Sequence, residues 1–266
     1  MQDGAILIFD SGVGGLSVVD EIRTRLGDIA LAYVCDNAAL PYGTKPDAWL
    51  IERILAVCEA AVAATAAGAL VVACNTASTL ALEALRMRLP IPVIGTVPAI
   101  KPAASSSASG VIGLLATSAT IRRPYTDRLI AEFAGHCRVV RVAADALVGE
   151  AERYLAGQSV SSAVLRRNLQ PLWDDETLDS VILGCTHFPL LRERFVELAP
   201  RQLSWIDSGA AIARRVQTVV PSPPRADGRS ISLATNSEHA GLARAMARFG
   251  FAAPQQLRLA GLSAVP

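Results

Sequence analysis

The sequence predicts an α/β fold, because short apolar runs alternate with longer segments rich in Ala, Leu, Arg and Glu. The apolar runs predict strands at 5–9, 29–34, 69–73, 92–94, 111–116, 138–142, 180–183 and 203–206. Their uniform apolarity is typical of parallel strands covered by helices on both faces. The intervening segments predict helices at 15–26, 47–67, 77–89, 121–134, 159–173, 190–198 and 209–219. We therefore expect mostly parallel sheets layered between helices.

Bulk composition excludes several classes of protein. The 266 residues are 52% hydrophobic, which is enough to bury the core of one large domain or two compact ones. Lys and Arg total 25 against 24 Asp and Glu without a basic cluster, so neither nucleic acid nor a membrane is an expected partner. The first residues do not resemble a secretory signal, and no segment reaches the roughly 20 apolar residues of a membrane helix. We expect a cytoplasmic protein.

Cysteine usage argues against disulfides and metal. The five cysteines are Cys35, Cys58, Cys74, Cys137 and Cys185. Their number is odd and no Cys-x-x-Cys pair occurs, so the pattern indicates neither a disulfide framework nor a zinc ribbon. No other cluster has metal-ligand spacing. The thiols are expected to be reduced, and no metal site is predicted.

Two of these cysteines follow predicted strands in similar contexts. The run LVVACNTAS contains Cys74 and the run VILGCTHFP contains Cys185. Each has a strand, a small residue, a cysteine and then hydroxyl or amide donors. A single cysteine after an apolar strand is more often core filling than catalytic. The repetition predicts two related lobes, each delivering one cysteine to a shared cleft.

Two opposed thiols suit inversion of a stereocentre. One thiolate removes a proton from one face, and the other thiol returns a proton from behind. A helix N-terminus, where Cys74 is predicted, can lower the pKa of a thiol below about 8.5. His187 either tunes Cys185, binds substrate or is a structural residue. Neighbouring donors would disperse carbanion charge, so this chemistry requires neither a metal nor pyridoxal phosphate.

Two further strand ends carry polar residues. The turn DSGVGG from Asp10 can present backbone N–H groups to a carboxylate, or Asp10 simply caps the next helix. A dinucleotide site is disfavoured, because Ser17 stands where that fingerprint requires glycine. The second turn, PYGTKP at 41–46, is more often a connector than a binding loop.

Several motifs in register resemble the aspartate/glutamate racemase family, and within it the glutamate racemases. They are FDSGVGGLS at 9–17, LPYG at 40–43, ACNTAS at 73–78, GLLAT at 113–117, GCTHFPLL at 184–191 and DSG at 207–209. Each motif alone is weak, whereas the ordered set is specific and spans most of the chain.

This resemblance implies two flavodoxin-like lobes with mostly parallel sheets, related by a pseudo-twofold axis, with the active site in the cleft between them. The first lobe would comprise residues 1–97 plus 209–266 and carry Cys74, and the second residues 98–208 and carry Cys185. The implied activity is interconversion of L- and D-glutamate without a cofactor, supplying D-glutamate for peptidoglycan synthesis. Glutamate is the implied partner, and a homodimer is compatible with the sequence.

The family's site residues map onto this chain by motif. The implied catalytic residues are Cys74, Cys185, Asp10, His187 and Glu152. Asp10 would assist Cys74, and Glu152 would help the second half-site. The implied substrate shell is Asp10, Ser11, Tyr42, Gly43, Asn75, Thr76, Thr186 and His187. Two segments depart from the family pattern, AADA at 143–146 and ATNS at 234–237, and neither is expected to touch the catalytic set.

Three alternatives remain from the sequence. Aspartate and hydantoin racemases also use two cysteines. A two-lobed amino-acid-binding protein would have the same cleft without chemistry, although it would not need paired cysteines. A redox protein would join Cys74 and Cys185 in a reversible disulfide.

Overall fold

The computed structural model describes residues 4–226 and 230–259. Within these residues the strands are β1 Ile6–Asp10, β2 Leu31–Cys35, β3 Ala69–Val72, β4 Val93–Gly95, β5 Val111–Ala116, β6 Arg138–Ala143, β7 Ser180–Leu183, β8 Ser204–Ile206, β9 Ile231–Ala234 and β10 Gln255–Gln256. Parts of the predicted first lobe, 1–3, 227–229 and 260–266, lie outside the described residues.

The helices connect and cover these strands. They are α1 Leu16–Leu26, α2 Asp47–Thr65, α3 Asn75–Arg88, α4 Ile100–Ser106, α5 Ser118–Ile121, α6 Pro124–Phe133, α7 Ala146–Leu155, α8 Ser162–Trp173, α9 Arg192–Leu198, α10 Gly209–Val219 and α11 Leu242–Arg248. Short 3-10 turns lie at Asn37–Ala39, Tyr42–Thr44 and Phe188–Leu191. No helix in the described ranges is both long and apolar enough to cross a membrane.

The strands form two sheets with related topology. The first sheet has the order β10-β9-β2-β1-β3-β4 and the second has the order β6-β5-β7-β8. Every ladder between the described strands is parallel. The second sheet therefore repeats the β2-β1-β3-β4 order of the first, with β7 in the place of β3. The α/β class with two mostly parallel sheets is confirmed.

Burial on both faces explains the apolar runs. Along β1 the side chains alternate between two core clusters, as the period of two in a strand requires. Ile6 and Ile8 pack with residues of α1 and α10, whereas Leu7 and Phe9 pack with residues of α2 and α3. In the second lobe, Leu115 likewise packs with α7 and α8. Each central strand is thus fixed between two helical layers, which fixes where its carboxyl end lies.

Several predicted elements are corrected by the structure. The predicted helix at 121–134 is two helices, because Pro124 has no N–H to continue the helix and disfavours helical geometry in the residue before it. Uniform burial is wrong for β6, which lies at a sheet edge and exposes Arg138 and Arg141. Helix α3 begins at Asn75 rather than at residue 77. The elements β9, β10, α4, α7 and α11 were not predicted.

Candidate active site

Both predicted cysteines line one cavity, which lies where the carboxyl ends of the two sheets face each other. Its volume is about 30 Å³, above the roughly 10–15 Å³ that a cavity needs to hold one water molecule. The predicted residues that line it are Ser11, Tyr42, Gly43, Cys74, Asn75, Thr76, Cys185, Thr186 and His187. The remaining two, Asp10 and Glu152, are hydrogen-bonded to residues of its wall. The structure thus brings the whole predicted set together.

Cys74 is held as a neutral thiol. It follows β3 and caps the N-terminus of α3, and its Sγ lies 3.7 Å from the hydroxyl oxygen of Ser11. Burial, followed by the charge of Asp10, raises the pKa of Cys74 to about 12. Hydrogen bonds from the backbone N–H of Ala77 and from Ser11 act in the opposite direction but are outweighed. The N-terminus of α3 thus acts on this pKa in the expected direction, but burial outweighs it.

Cys185 has a different neighbourhood. Its Sγ lies 3.8 Å from Nδ1 of His187, whose Nε2 lies 2.7 Å from Oε1 of Glu152. Burial alone would lower the pKa of His187, but hydrogen bonds and charges from Cys185 and Glu152 raise it well above its usual value. A protonated imidazole beside a sulfur stabilises negative charge on that sulfur. The two sulfurs therefore face opposite electrostatic environments.

Glu152 lies behind His187 and connects it to the first lobe. Its Oε1 also accepts a hydrogen bond of 2.8 Å from the backbone N–H of Val13. Glu152 is carried by α7, whereas Val13 belongs to the turn after β1. A single carboxylate oxygen thus orients the histidine and joins the two lobes.

Asp10 forms a second connection between the lobes. It is fully buried, and its two oxygens accept 2.9 Å and 2.8 Å hydrogen bonds from the backbone N–H of Gly12 and the hydroxyl of Thr186. Burial raises the pKa of Asp10, although the charge of His187 and these hydrogen bonds offset part of that effect. The N-cap of α1 is Gly15, so Asp10 does not have the simple capping role that the sequence left open.

Asn75 presents an unmatched acceptor to the cavity. It lies in the first turn of α3 beside Thr76, and its Oδ1 is buried without a hydrogen-bond partner among the described residues. An unpaired buried acceptor costs free energy, so such a group is usually satisfied by a ligand or an ordered water. A ligand ammonium group would supply the missing donor.

The 3-10 turn Tyr42–Thr44 forms another wall of the cavity. The hydroxyl of Tyr42 donates a 2.7 Å hydrogen bond to Oδ2 of Asp36, so its proton is not available to a ligand. Gly43 faces the second lobe, where a Cβ on it would lie 3.5 Å from Oδ1 of Asp145. This turn therefore contacts the opposite lobe directly, and it is more than a connector.

Glycine is required at position 14, where the first lobe packs closely against the second. A Cβ at Gly14 would lie 2.5 Å from Nδ1 of His187 and 2.7 Å from the hydroxyl oxygen of Thr186. Such distances are shorter than carbon contacts allow, so any side chain at this position would push the lobes apart. The glycine-rich turn thus provides close packing between the lobes as well as backbone donors.

Comparison with known proteins gives a consistent assignment. The family model described as Asp/Glu/Hydantoin racemase matches residues 15–216. This chain belongs to that family. It is 52% identical over 211 residues to a glutamate racemase of Salmonella gallinarum, covering 79% of this chain and 75% of that protein. It is also 45% identical over 260 residues to a glutamate racemase of Erwinia tasmaniensis, covering 96% and 92%.

The structural comparison agrees with the sequence comparison. The crystal structure of Escherichia coli glutamate racemase in complex with L-glutamate and the activator UDP-MurNAc-ala superposes with a TM-score of 0.92 at 42% identity, covering 97% of this chain and 99% of that one. The sequence-based assignment to the aspartate/glutamate racemases is thereby confirmed, as is the prediction of an amino-acid racemase with two lobes.

Part of the wall of this cavity was not predicted from the sequence. Thr117, Thr120 and Asp145 also line it, and the hydroxyl oxygens of Thr117 and Thr120 lie 3.2 Å apart. Thr117 follows β5, the counterpart of β1, and this position at the end of a central strand was a usable signal. Asp145 belongs to the segment 143–146, which lies closer to the site than expected.

Proposed function

We propose that the chain is a cofactor-independent glutamate racemase that interconverts L- and D-glutamate by proton transfer between Cα and two cysteines. The observation that carries this proposal is the placement of Cys74 and Cys185 around one cavity, with the first sulfur 3.7 Å from the Ser11 hydroxyl oxygen and the second 3.8 Å from Nδ1 of His187. In this role the enzyme supplies D-glutamate for peptidoglycan synthesis in the cytoplasm.

The environments of the two sulfurs support the following reaction sequence. With Cys185 as thiolate and Cys74 as thiol, Cys185 takes the α-proton and the bonding electron pair remains on Cα as a carbanion. Cys74 then gives its proton to the opposite face, which leaves the other enantiomer, a Cys185 thiol and a Cys74 thiolate. The reverse reaction starts from that second state, so each sulfur acts as base toward one enantiomer.

Other groups of the cavity bind and orient the substrate. Asn75 Oδ1 accepts from the α-ammonium group, which satisfies the buried acceptor. The hydroxyl of Ser11 and the N-terminal turn of α3 around Thr76 offer donors to the carboxylates. Because these dipoles are fixed before the reaction, they stabilise charge on the carbanion with little reorganisation.

Isotope exchange tests the proposal most directly. The purified protein is incubated with L-glutamate in D2O without added cofactor, and optical rotation and deuterium at Cα are both followed. We expect loss of rotation together with one deuterium per inverted molecule. Binding of glutamate without deuteration would instead indicate an amino-acid-binding protein. A faster reaction with aspartate or a hydantoin would reassign the substrate.

Single cysteine variants test the two-thiol mechanism. Cys74→Ser and Cys185→Ser should each abolish racemisation while the protein remains folded, because serine is a far weaker acid than cysteine. The matched control is Cys137→Ser, a partly exposed cysteine outside the cavity. Near-normal racemisation by either cavity variant would refute the mechanism. Thiol titration before and after peroxide separates it from the redox alternative.

We also propose the lobe boundaries at 97/98 and 208/209. Support comes from the sheets, because strands of the first lie within 6–95 and 231–256 and those of the second within 111–206. Limited proteolysis should cut preferentially near these two crossings.

A second proposal concerns regulation, since the Escherichia coli relative was crystallised with the activator UDP-MurNAc-ala. A groove of about 560 Å³ borders the crossing segment after β4 and is lined by Arg86, Arg128, Arg215 and Tyr125. Three guanidinium groups and an aromatic ring match a nucleotide diphosphate. We expect UDP-MurNAc-ala to raise kcat/KM for glutamate, and Arg215→Ala to weaken this activation without changing the basal rate. If UDP-MurNAc-ala activates the unmodified protein and Arg215→Ala equally, this location of the activator site is refuted.

A further inference from the structure

A buried polar network stands behind the cavity and takes no part in the mechanism above. Asp36, at the end of β2, is fully buried and accepts four hydrogen bonds from side chains. Its Oδ2 accepts 2.7 Å and 2.8 Å bonds from the Tyr42 hydroxyl and Arg53 Nε. Its Oδ1 accepts 2.7 Å bonds from Arg53 Nη2 and the Thr235 hydroxyl.

Two of the partners anchor this carboxylate. Arg53 approaches from α2 through two nitrogens, and its side chain is only 8% exposed. A two-point contact between a guanidinium and a carboxylate fixes orientation as well as distance. Thr235 approaches from the end of β9 on the other side. Asp36 is therefore immobilised by two separate elements of the first lobe.

The remaining partner belongs to the wall of the cavity. Tyr42 sits in the loop 40–43, all of which lines the cavity beside the two cysteines. We propose that Asp36, held by Arg53 and Thr235, is a positioning residue that fixes the substrate-binding loop 40–43 through the hydroxyl of Tyr42. This inference rests on the proposed racemase function, because it gives the loop a place in binding the substrate.

The segment after β9 extends this support. The side chain of Asn37 forms two 2.9 Å hydrogen bonds, donating to the carbonyl of Asn236 and accepting from its backbone N–H. The hydroxyl oxygen of Thr235 also accepts a 3.1 Å bond from the backbone N–H of Ala38. The residues at 235–236, which depart from the family pattern, thus bind Asp36, Asn37 and Ala38, the first three residues of the link between β2 and the loop.

A positioning role and a purely structural role predict different kinetics. Asp36 touches neither sulfur, so a loosened loop weakens substrate binding while the proton transfers in the bound complex persist. A hydrogen bond to a charged group contributes enough to change affinity by roughly tenfold. We therefore expect Tyr42→Phe to raise KM about tenfold while kcat changes less than about twofold.

Thr235 gives a test from outside the cavity. Thr235→Val removes the hydroxyl but keeps the shape, and should also raise KM by roughly tenfold. Thr235→Ser keeps the hydroxyl and should restore a KM close to that of the unmodified protein. The matched control is Thr218→Val in α10, whose hydroxyl bonds only to the carbonyl of Arg214 within its own helix among the described residues. This control should leave KM unchanged.

The experiment combines steady-state kinetics on the full chain with amide hydrogen exchange read by mass spectrometry. We expect faster exchange in peptides covering 40–45 in Tyr42→Phe and Thr235→Val, together with the rise in KM. If Tyr42→Phe folds with unchanged exchange and unchanged KM, or loses only thermal stability, the positioning role is overturned. If Thr235→Val does not fold, Tyr42→Phe alone decides.

These outcomes remain distinct from failure of the proposed function. If the unmodified protein does not racemise glutamate, the racemase proposal fails at that point. The exchange measurement still decides whether Asp36 holds the loop, because it needs no substrate.

Discussion

Replacing Glu152 by glutamine tests whether the charge behind His187 matters for catalysis. Glutamine keeps the size of the side chain and an oxygen for the backbone N–H of Val13, which now lies 2.8 Å from Oε1. It removes the negative charge that lies 2.7 Å from Nε2 of His187. The variant therefore isolates the electrostatic part of the contact.

The magnitude follows from the difference between a charged and a neutral hydrogen bond. A hydrogen bond to a charged group contributes about 1.5–3 kcal/mol and a neutral one about 0.5–1.5 kcal/mol, and each 1.36 kcal/mol corresponds to a factor of about ten in rate. We expect kcat/KM in Glu152→Gln to fall about tenfold. The two enantiomers have equal free energies, so the fall must be the same in both directions.

The pH profile provides a second readout with a defined sign. The hydrogen bond and the charge of Glu152 both raise the pKa of His187. Removing the charge lowers that pKa, so the imidazole loses its proton at a lower pH. The alkaline limb of the activity profile should therefore move to lower pH in Glu152→Gln.

Glu150→Gln is the matched control for this experiment. Glu150 lies on the same helix, is buried, and accepts a 2.7 Å hydrogen bond from the backbone N–H of Ser161. It should change stability but neither rate nor pH profile. Circular dichroism assays racemisation of both enantiomers across pH. An unchanged kcat/KM and alkaline limb in folded Glu152→Gln would show that the charge is dispensable.

Three further outcomes are expected. Gly14→Ala should abolish racemisation, because its Cβ would lie 2.5 Å from Nδ1 of His187. The control Gly149→Ala has open space around its Cβ and should retain activity. An active Gly14→Ala would contradict the close packing of the lobes. Alkylation of Cys74 by iodoacetamide, followed by peptide mapping, should be slow at pH 8 and faster toward pH 10. The reason is that a pKa of about 12 leaves about one thiolate in ten thousand at pH 8. Reaction at the rate of a free cysteine would argue against burial of the thiol. Phe195→Ala should lower the free energy of unfolding, measured in urea, by about 3–5 kcal/mol, because the ring is fully buried against Trp205. A loss below about 1 kcal/mol would indicate that the core collapses into the space left by the ring.

The central strands and their ends were predictable because they carry strong local signals. Strands β5 and β7 have the predicted bounds, since both are short apolar runs bounded by polar or glycine-containing turns. The two cysteines were found through the repeated pattern around them, and the repeated sheet order accounts for it. The flanking motifs likewise located most of the cavity wall.

The missed parts depend on tertiary contacts. Strand β10 has only two residues, Gln255–Gln256, and it exists because β9 offers an edge beside it. The raised pKa of Cys74 arises mainly from burial in the folded protein, which local sequence around α3 does not encode. The hydrogen bonds of Asp36 are likewise not encoded by local sequence, because its partners Arg53 and Thr235 lie far apart along the chain.

Burial as the main cause of the high pKa of Cys74 has a consequence for when protons move. In the cleft the Cys74 side chain is almost fully buried, so a thiol of high pKa gives its proton more readily to a bound partner than to bulk water. A parting of the lobes would let water reach the sulfur and return its pKa toward that of an ordinary cysteine, so its hydrogen would exchange with solvent. The Cys74 thiol would then exchange its hydrogen only while the lobes are apart. Whether a product carries hydrogen from the solvent would therefore depend on whether the lobes part between one turnover and the next.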